Sequence, residues 1–174
     1  MQGCGQIVDQ TLRASDDYDV VILQEQSTRP VTNYNSFVES ARTLKEKIDE
    51  TQKDCEVYLC ATWGFPAGLD STYATIPDLE AAIRQAYKNA AAEIGASVSN
   101  VGEAFTAIYT QHSEIGLYNA DGRHPTYVGS YLAACVHLAT ILDCDPRTTT
   151  FTGELSEDDA KLMQNVAYEV VFGS

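Results

Sequence analysis

The chain has 174 residues, 44% apolar and 21% charged, the proportions of a globular protein large enough to bury one core. Its 25 acids against 11 bases give a net charge of −14 and a pI near 4.4, a surface that repels nucleic acid and anionic lipid and so excludes both as expected partners. No apolar run approaches the ~18 residues of a membrane span, and "MQGCGQIVDQTL" lacks the basic and apolar regions of a secretory leader. The chain as written is therefore expected in the cytoplasm, and in the periplasm or outside the cell if its native start lies upstream.

Residues 1–16 hold no strand pattern, only a short helical stretch over Gln6–Ala14, and read as an atypical amino-terminal segment of a single domain spanning 1–174. "YDVVILQEQS" then carries Val20-Val21-Ile22-Leu23, a β-branched run suited to a strand covered on both faces of a parallel sheet. In "NSFVESARTLKEKIDETQ" the apolar positions Phe37, Val38, Ala41, Leu44 and Ile48 recur with a helical period. Cys55–Trp63 reads as a second buried strand. "PDLEAAIRQAYKNAAAEIGA" reads as a helix, with Pro77 near its start and Gly95 at its end. "SVSNVGEAF" supplies a short third strand leading into a helix over Glu103–Gln111, and Val128–Leu142 forms the next helix. "CDPRTTTFTG" is the expected exposed loop, and Ser156-Glu157-Asp158-Asp159 has the chemistry to open a last helix.

Strands alternating with helix-length connections predict an α/β fold, a parallel sheet wrapped by helices. The five cysteines (Cys4, Cys55, Cys60, Cys135, Cys144) show no CxxC pair and read mainly as small buried hydrophobes; disulfides among them would require an exported protein. Neither HxxxH nor HExxH spacing occurs, so no metal is expected. His112 reads as an exposed residue at a helix end, and His137 as an ordinary residue on the Val128–Leu142 helix.

Ligands of open α/β sheets bind beyond the carboxyl ends of the strands. There the sequence places Gln24, Glu25 and Gln26, then Trp63, then Asn100; the turn "NADGRHPTYVG" could fold back to the same rim with Asp121 and His124. A carboxylate that holds an imidazole fixes its tautomer and orientation, as a general base acting on a hydroxyl requires. Side-chain amides can donate to a developing oxyanion. Gln24 and Gln26 alternate along an extended chain, so one of them is expected to face the site, and Trp63 reads as a packed aromatic or a ligand platform.

"DGRHPTYVGSYLAACV" resembles the last conserved block of SGNH (GDSL-type) hydrolases, whose Asp-x-x-His supplies two members of a Ser-His-Asp triad; "YDVVILQEQS" is similar to the family's third block, and "YLCATWGFP" to the strand and substrate-side loop of a branch that carries Gln there. The resemblance implies a flavodoxin-like three-layer α/β/α sandwich and an ester hydrolase acting on a small ester or an acetylated carbohydrate, without a cofactor. It gives His124 the role of general base, Asp121 that of its orienting carboxylate, Gln26 or Gln24 that of oxyanion donor, and Trp63 a place beside the substrate. The family's first block, a strand followed by Gly-Asp/Asn-Ser with the nucleophile, has no counterpart in this sequence. The expectations are therefore a truncated domain whose first strand is missing, or a homodimer formed through the unpaired edge of the Val20–Leu23 strand. The alternative function is a non-catalytic domain that keeps the fold and holds a glycan or partner. A nucleotide-binding domain would need a phosphate loop, for which "QEQSTRP" is a poor candidate.

Overall fold

The computed structural model of the chain describes Val8, residues 10–13 and residues 18–173. Val8 and residues 10–13 are helical; the rest of the Gln6–Ala14 stretch, Cys4 and the nearby glycines lie outside the described residues. The fold is mixed α/β, built on a parallel sheet with strand order β1-β2-β3, where β1 is Val20–Leu23, β2 is Glu56–Cys60 and β3 is Ser97–Ser99. The chain divides into two compact units, residues 1–60 with 86–98 and residues 61–85 with 99–174.

In the first unit β1 and β2 run in register, Val20 opposite Glu56 and Leu23 opposite Leu59. Val57 through Cys60 are buried, as a strand covered on both faces requires. β1 is different. Among the described residues it is an outer strand of the sheet, and Ile22 is 44% exposed, so the expected burial on both faces holds for β2 and fails for β1. Between the strands come α1 (Arg29–Thr32), a single turn that the sequence reading did not foresee, and α2 (Tyr34–Thr51). Pro30 sits in the first turn of α1, where its missing N–H costs nothing. Asn33 caps α2 by accepting the Ser36 N–H at 3.4 Å. The apolar stripe Phe37, Val38, Ala41 and Ile48 is buried, and the Phe37 ring meets the Tyr87 ring edge-on at 4.8 Å.

α3 (Ile76–Ile94) belongs to both units. In the second unit follow α4 (Val101–Gln111), α5 (Tyr127–Leu142) and α6 (Glu157–Phe172). Their buried residues include Val101, Phe105, Ile108, Leu132, Val136 and Met163. Ser156 caps α6 by accepting the Asp159 N–H at 3.1 Å, and three acids in the first turn oppose the helix dipole. The expected loop over 144–153 is mostly exposed, yet it is tied down. Tyr131 donates to the Phe151 carbonyl at 2.6 Å, Gln164 donates to the Tyr131 hydroxyl at 2.8 Å, and the Arg147 guanidinium grips Asp145 while lying over the Tyr168 ring.

Cys60 and Cys135 are buried, as expected of small hydrophobes, whereas Cys55 is half-buried and Cys144 is exposed at the end of α5. The described cysteines are free thiols. Burial pushes the Cys60 thiol up to about 12 and the Cys135 thiol to about 11, so neither is a thiolate near neutral pH.

Candidate active site

The turn before α5 begins as an antiparallel pairing. Tyr118 and Pro125 form a bridge, the Thr126 N–H donates to the Leu117 carbonyl at 2.9 Å, and the Asn119 N–H donates to the His124 carbonyl at 2.8 Å. Pro125, which has no N–H to offer, occupies a bridge position without loss. Thr126 then starts the helix by accepting the Gly129 N–H at 3.3 Å, while its own hydroxyl donates to the Gly116 carbonyl at 2.8 Å. Gly129 itself is required by contact: a Cβ there would lie 2.8 Å from the Leu117 carbonyl oxygen. That is the physical content of the glycine in "HPTYVG".

Within the loop, Asp121 performs two tasks with two oxygens. Its Oδ1 accepts the backbone N–H groups of Arg123 at 2.9 Å and His124 at 3.0 Å, the Asp-side-chain turn that this residue favours. Its Oδ2 lies 2.6 Å from His124 Nδ1. Gly122 between them adopts φ +62°, the left-handed region open to glycine at little cost. The hydrogen bond from the imidazole, followed by the two backbone N–H groups, lowers the Asp121 carboxyl from 3.8 to about 2. Asp121 is therefore an anion at neutral pH and can only accept, so His124 Nδ1 must be the donor. In the neutral ring this leaves the Nε2 lone pair bare. The His124 side chain is 70% exposed and Asp121 50%. A pair this open contributes little to stability, although three hydrogen bonds of Asp121 define the ring and the turn.

The loop after β2 grips this turn from outside. The Trp63 indole N–H donates to the Arg123 carbonyl at 3.0 Å, and the Ala67 N–H donates to the Gly122 carbonyl at 3.1 Å. Tyr118 donates its hydroxyl to the Gly64 carbonyl at 2.7 Å, and the Arg123 guanidinium lies 5.2 Å from the centre of the Phe65 ring. One face of Trp63 is stacked on Phe105, with ring centres 4.3 Å apart and planes within 9°. Of the residues singled out in the sequence, Asp121, His124 and Trp63 are thus brought into one bonded assembly.

Gln24 and Gln26 belong to the first unit and are both exposed. Gln24 lines a small groove with Leu23, Phe37, Ala41 and Leu44. Gln26 turns its side-chain carbonyl back to the Thr28 N–H at 3.3 Å. Glu25 is half-buried, donates its N–H to the Tyr87 oxygen at 3.1 Å and lies 3.8 Å from Arg29. Asn100 opens α4 without capping it through its side chain. His112 ends α4 and is half-buried, with Glu114 at 3.6 Å. His137 lies on α5 with its Nδ1 2.9 Å from the hydroxyl of buried Ser99.

The residues missed in the sequence are those that hold the turn: Phe105, Tyr118, Asn119, Arg123 and Thr126. Asn119 and Thr126 carried a signal, since turn-forming side chains flank "DGRHP". Phe105 and Tyr118 carried none, because an aromatic at a helical or strand position reads as core. Among the described residues no cluster of His, Cys, Asp and Glu could hold a metal ion, and no helix is long and apolar enough to cross a membrane.

No protein-family model and no curated protein matches the chain. Two solved structures do. A DUF4886 family protein from Bacteroides uniformis superposes with a TM-score of 0.81 at 21% identity, over 95% of this chain and 67% of the other. A protein from Slackia heliotrinireducens, provisionally assigned as an SGNH hydrolase, superposes with a TM-score of 0.67 at 29% identity, over 80% of this chain and 74% of the other. The chain shares the flavodoxin-like α/β/α fold of these proteins and is related in fold to an SGNH-type hydrolase.

Proposed function

We propose that the chain is an SGNH-type ester hydrolase in which His124 is the general base and Asp121 its orienting carboxylate. The observation that carries the reading is the 2.6 Å contact of Asp121 Oδ2 with His124 Nδ1, made by a carboxylate whose other oxygen is already occupied by two backbone N–H groups. This arrangement spends its hydrogen-bonding capacity on presenting Nε2 to solvent as a proton acceptor. Nε2 would take the proton of a hydroxyl nucleophile as the oxygen attacks an ester carbonyl. The imidazolium, stabilised by the Asp121 anion, would then protonate the departing alkoxide. The nucleophile would be a serine that is not evident in this sequence; the buried Cys60 and Cys135 thiols are protonated near neutral pH and do not suit the role.

Gln26 is the proposed donor to the oxyanion, with Gln24 second. Its carbonyl is engaged locally by the Thr28 N–H, which leaves the amide N–H groups as the part it can offer a substrate. A small ester or an acetylated carbohydrate is the proposed substrate, since neither a cofactor nor a basic pocket is called for by this chemistry. Hydrolysis of p-nitrophenyl acetate and of an acetylated oligosaccharide by the chain and its His124→Ala variant tests the proposal. Turnover above that of free imidazole at equal concentration, lost in the variant, is expected. Equal turnover by the two proteins rules His124 out, and absence of turnover with retained glycan binding points to the non-catalytic reading.

A further inference from the structure

The peptide unit between Arg123 and His124 has both of its polar groups held. Its N–H is taken by Asp121 Oδ1 at 3.0 Å, from within the turn. Its carbonyl oxygen is taken by the Trp63 indole N–H at 3.0 Å, from a loop 60 residues earlier in the chain. The His124 carbonyl on the other side is taken by Asn119. The backbone that carries the imidazole is therefore fixed on both sides of its Cα, and Trp63 is the side chain that reaches this peptide from outside the turn.

Trp63 can serve as an anchor because it is itself immobilised. Phe105, fully buried on α4, backs its ring face at 4.3 Å. Gly64, next in sequence, has no room for a side chain, since a Cβ would lie 2.3 Å from the Ile76 carbonyl oxygen. The Gly64 carbonyl in turn receives the Tyr118 hydroxyl, and Ala67 binds the Gly122 carbonyl. Neutral hydrogen bonds of this kind contribute little net stability each, and their placement on the two peptides that flank Arg123 concentrates their effect on ring position.

We infer that Trp63 is a positioning residue for His124: its indole N–H, rigidified by the stack on Phe105, holds the Arg123 carbonyl and thereby sets where the imidazole stands. The inference rests on the reading of His124 as general base. It revises the expected role of Trp63 as well, because its N–H and one ring face are committed to the protein. Substrate can meet only what remains of the ring. The loop at 63–67 and the turn at 119–124 then move as one body, so a ligand that displaces the first displaces the base.

Two measurements test this. In the unmodified chain, NMR should detect a through-hydrogen-bond coupling between the Trp63 indole nitrogen and the Arg123 carbonyl carbon; its absence overturns the inference. In Trp63→Phe, which keeps an aromatic ring for the Phe105 stack, amide exchange should accelerate at Arg123 and His124 and stay unchanged in α6. Ester turnover should fall about tenfold in kcat with KM unchanged, as expected of a misplaced catalytic group. Uniform acceleration of exchange across the second unit, or unchanged exchange at Arg123 and His124, overturns it. The coupling and exchange readouts need no turnover, so an inactive wild-type chain with both intact would reject the hydrolase reading while leaving the anchor standing.

Discussion

Two histidines of the second unit teach more together than either does alone. His124 and His137 lie 13 positions apart in the sequence, and each has a side-chain partner within 3 Å of its Nδ1. His124 faces a carboxylate in an open turn, whereas His137 faces the hydroxyl of buried Ser99 on a helix. Desolvation lowers the pKa of His137 below 6.5 and favours the neutral ring. On the proposed reading the same side chain would serve chemistry at one site, while it packs at the other. The nature of the partner and the access of solvent decide which.

Exchanging the roles by mutation gives the largest expected effect. His124→Ala should reduce ester turnover by ~10²–10⁴-fold with the melting temperature nearly unchanged, because an exposed pair adds little to stability. His137→Ala should do the reverse: turnover per folded molecule is retained, and stability falls by ~1–3 kcal/mol as the Ser99 hydroxyl loses this partner in a buried setting. Loss of turnover in His137→Ala without loss of stability would break the contrast.

Asp121→Asn sharpens it. The amide can still accept from the Arg123 and His124 backbone through Oδ1, so the turn should survive while the charge opposite Nδ1 disappears. Turnover should fall by up to about 10⁴-fold, the scale on which a wrong tautomer disables such a base. Circular dichroism that matches the parent would separate this from unfolding.

Acid should act on the two regions in different windows. The folded pKa of His137 lies below its unfolded 6.5, so the unfolded chain binds the proton first. The stability due to a neutral His137 is complete above 6.5 and declines as pH falls through that value toward the folded one. Asp121 is lowered from 3.8 to about 2. Its contribution is complete above 3.8 and is lost as pH falls from there through 2. Denaturant titrations between pH 7 and 2 should show the earlier decline removed by His137→Ala and the later one only slightly reduced by Asp121→Asn, since the Asp121 pair is exposed and Asp70 and Asp145 are lowered as well.

A smaller effect separates two glycines of the turn. Gly122 has φ +62° and its nearest neighbours to a Cβ are 3.6 Å away, so Gly122→Ala should cost only the left-handed strain, ~1–2 kcal/mol. Gly129→Ala carries no such strain, because Gly129 is helical, but it must displace the Leu117 carbonyl and should cost more, which thermal melts of the two variants would compare. For the first unit, light scattering tests the homodimer expected from the exposed edge of β1; a stable monomer at all concentrations would dismiss it.

Much of this was legible in the sequence, for reasons visible in particular residues. Val20–Leu23, the stripe from Phe37 to Ile48 and the capping Ser156 each obey local rules that the structure keeps. The pairing of Asp121 with His124 was legible because a three-residue spacing in a Gly- and Pro-marked turn is itself local. What was hidden depends on approach between distant segments: Trp63 meeting Arg123 across 60 residues, Tyr118 reaching Gly64, and His137 finding Ser99. The single turn of α1 was hidden for another reason, since "RPVT" is too short to show a period. β1 misled because its composition suits burial on both faces while its place in the sheet, among the described residues, is at the edge.

The most direct test of the central claim is the ¹⁵N spectrum of the two imidazoles at neutral pH. His124 should be held as a single tautomer, with the proton on Nδ1 and a bare Nε2, and Asp121→Asn, whose amide NH2 group then faces Nδ1, should move the proton to Nε2. A His124 that already exchanges between tautomers in the unmodified chain, or that carries its proton on Nε2 there, would contradict the claim.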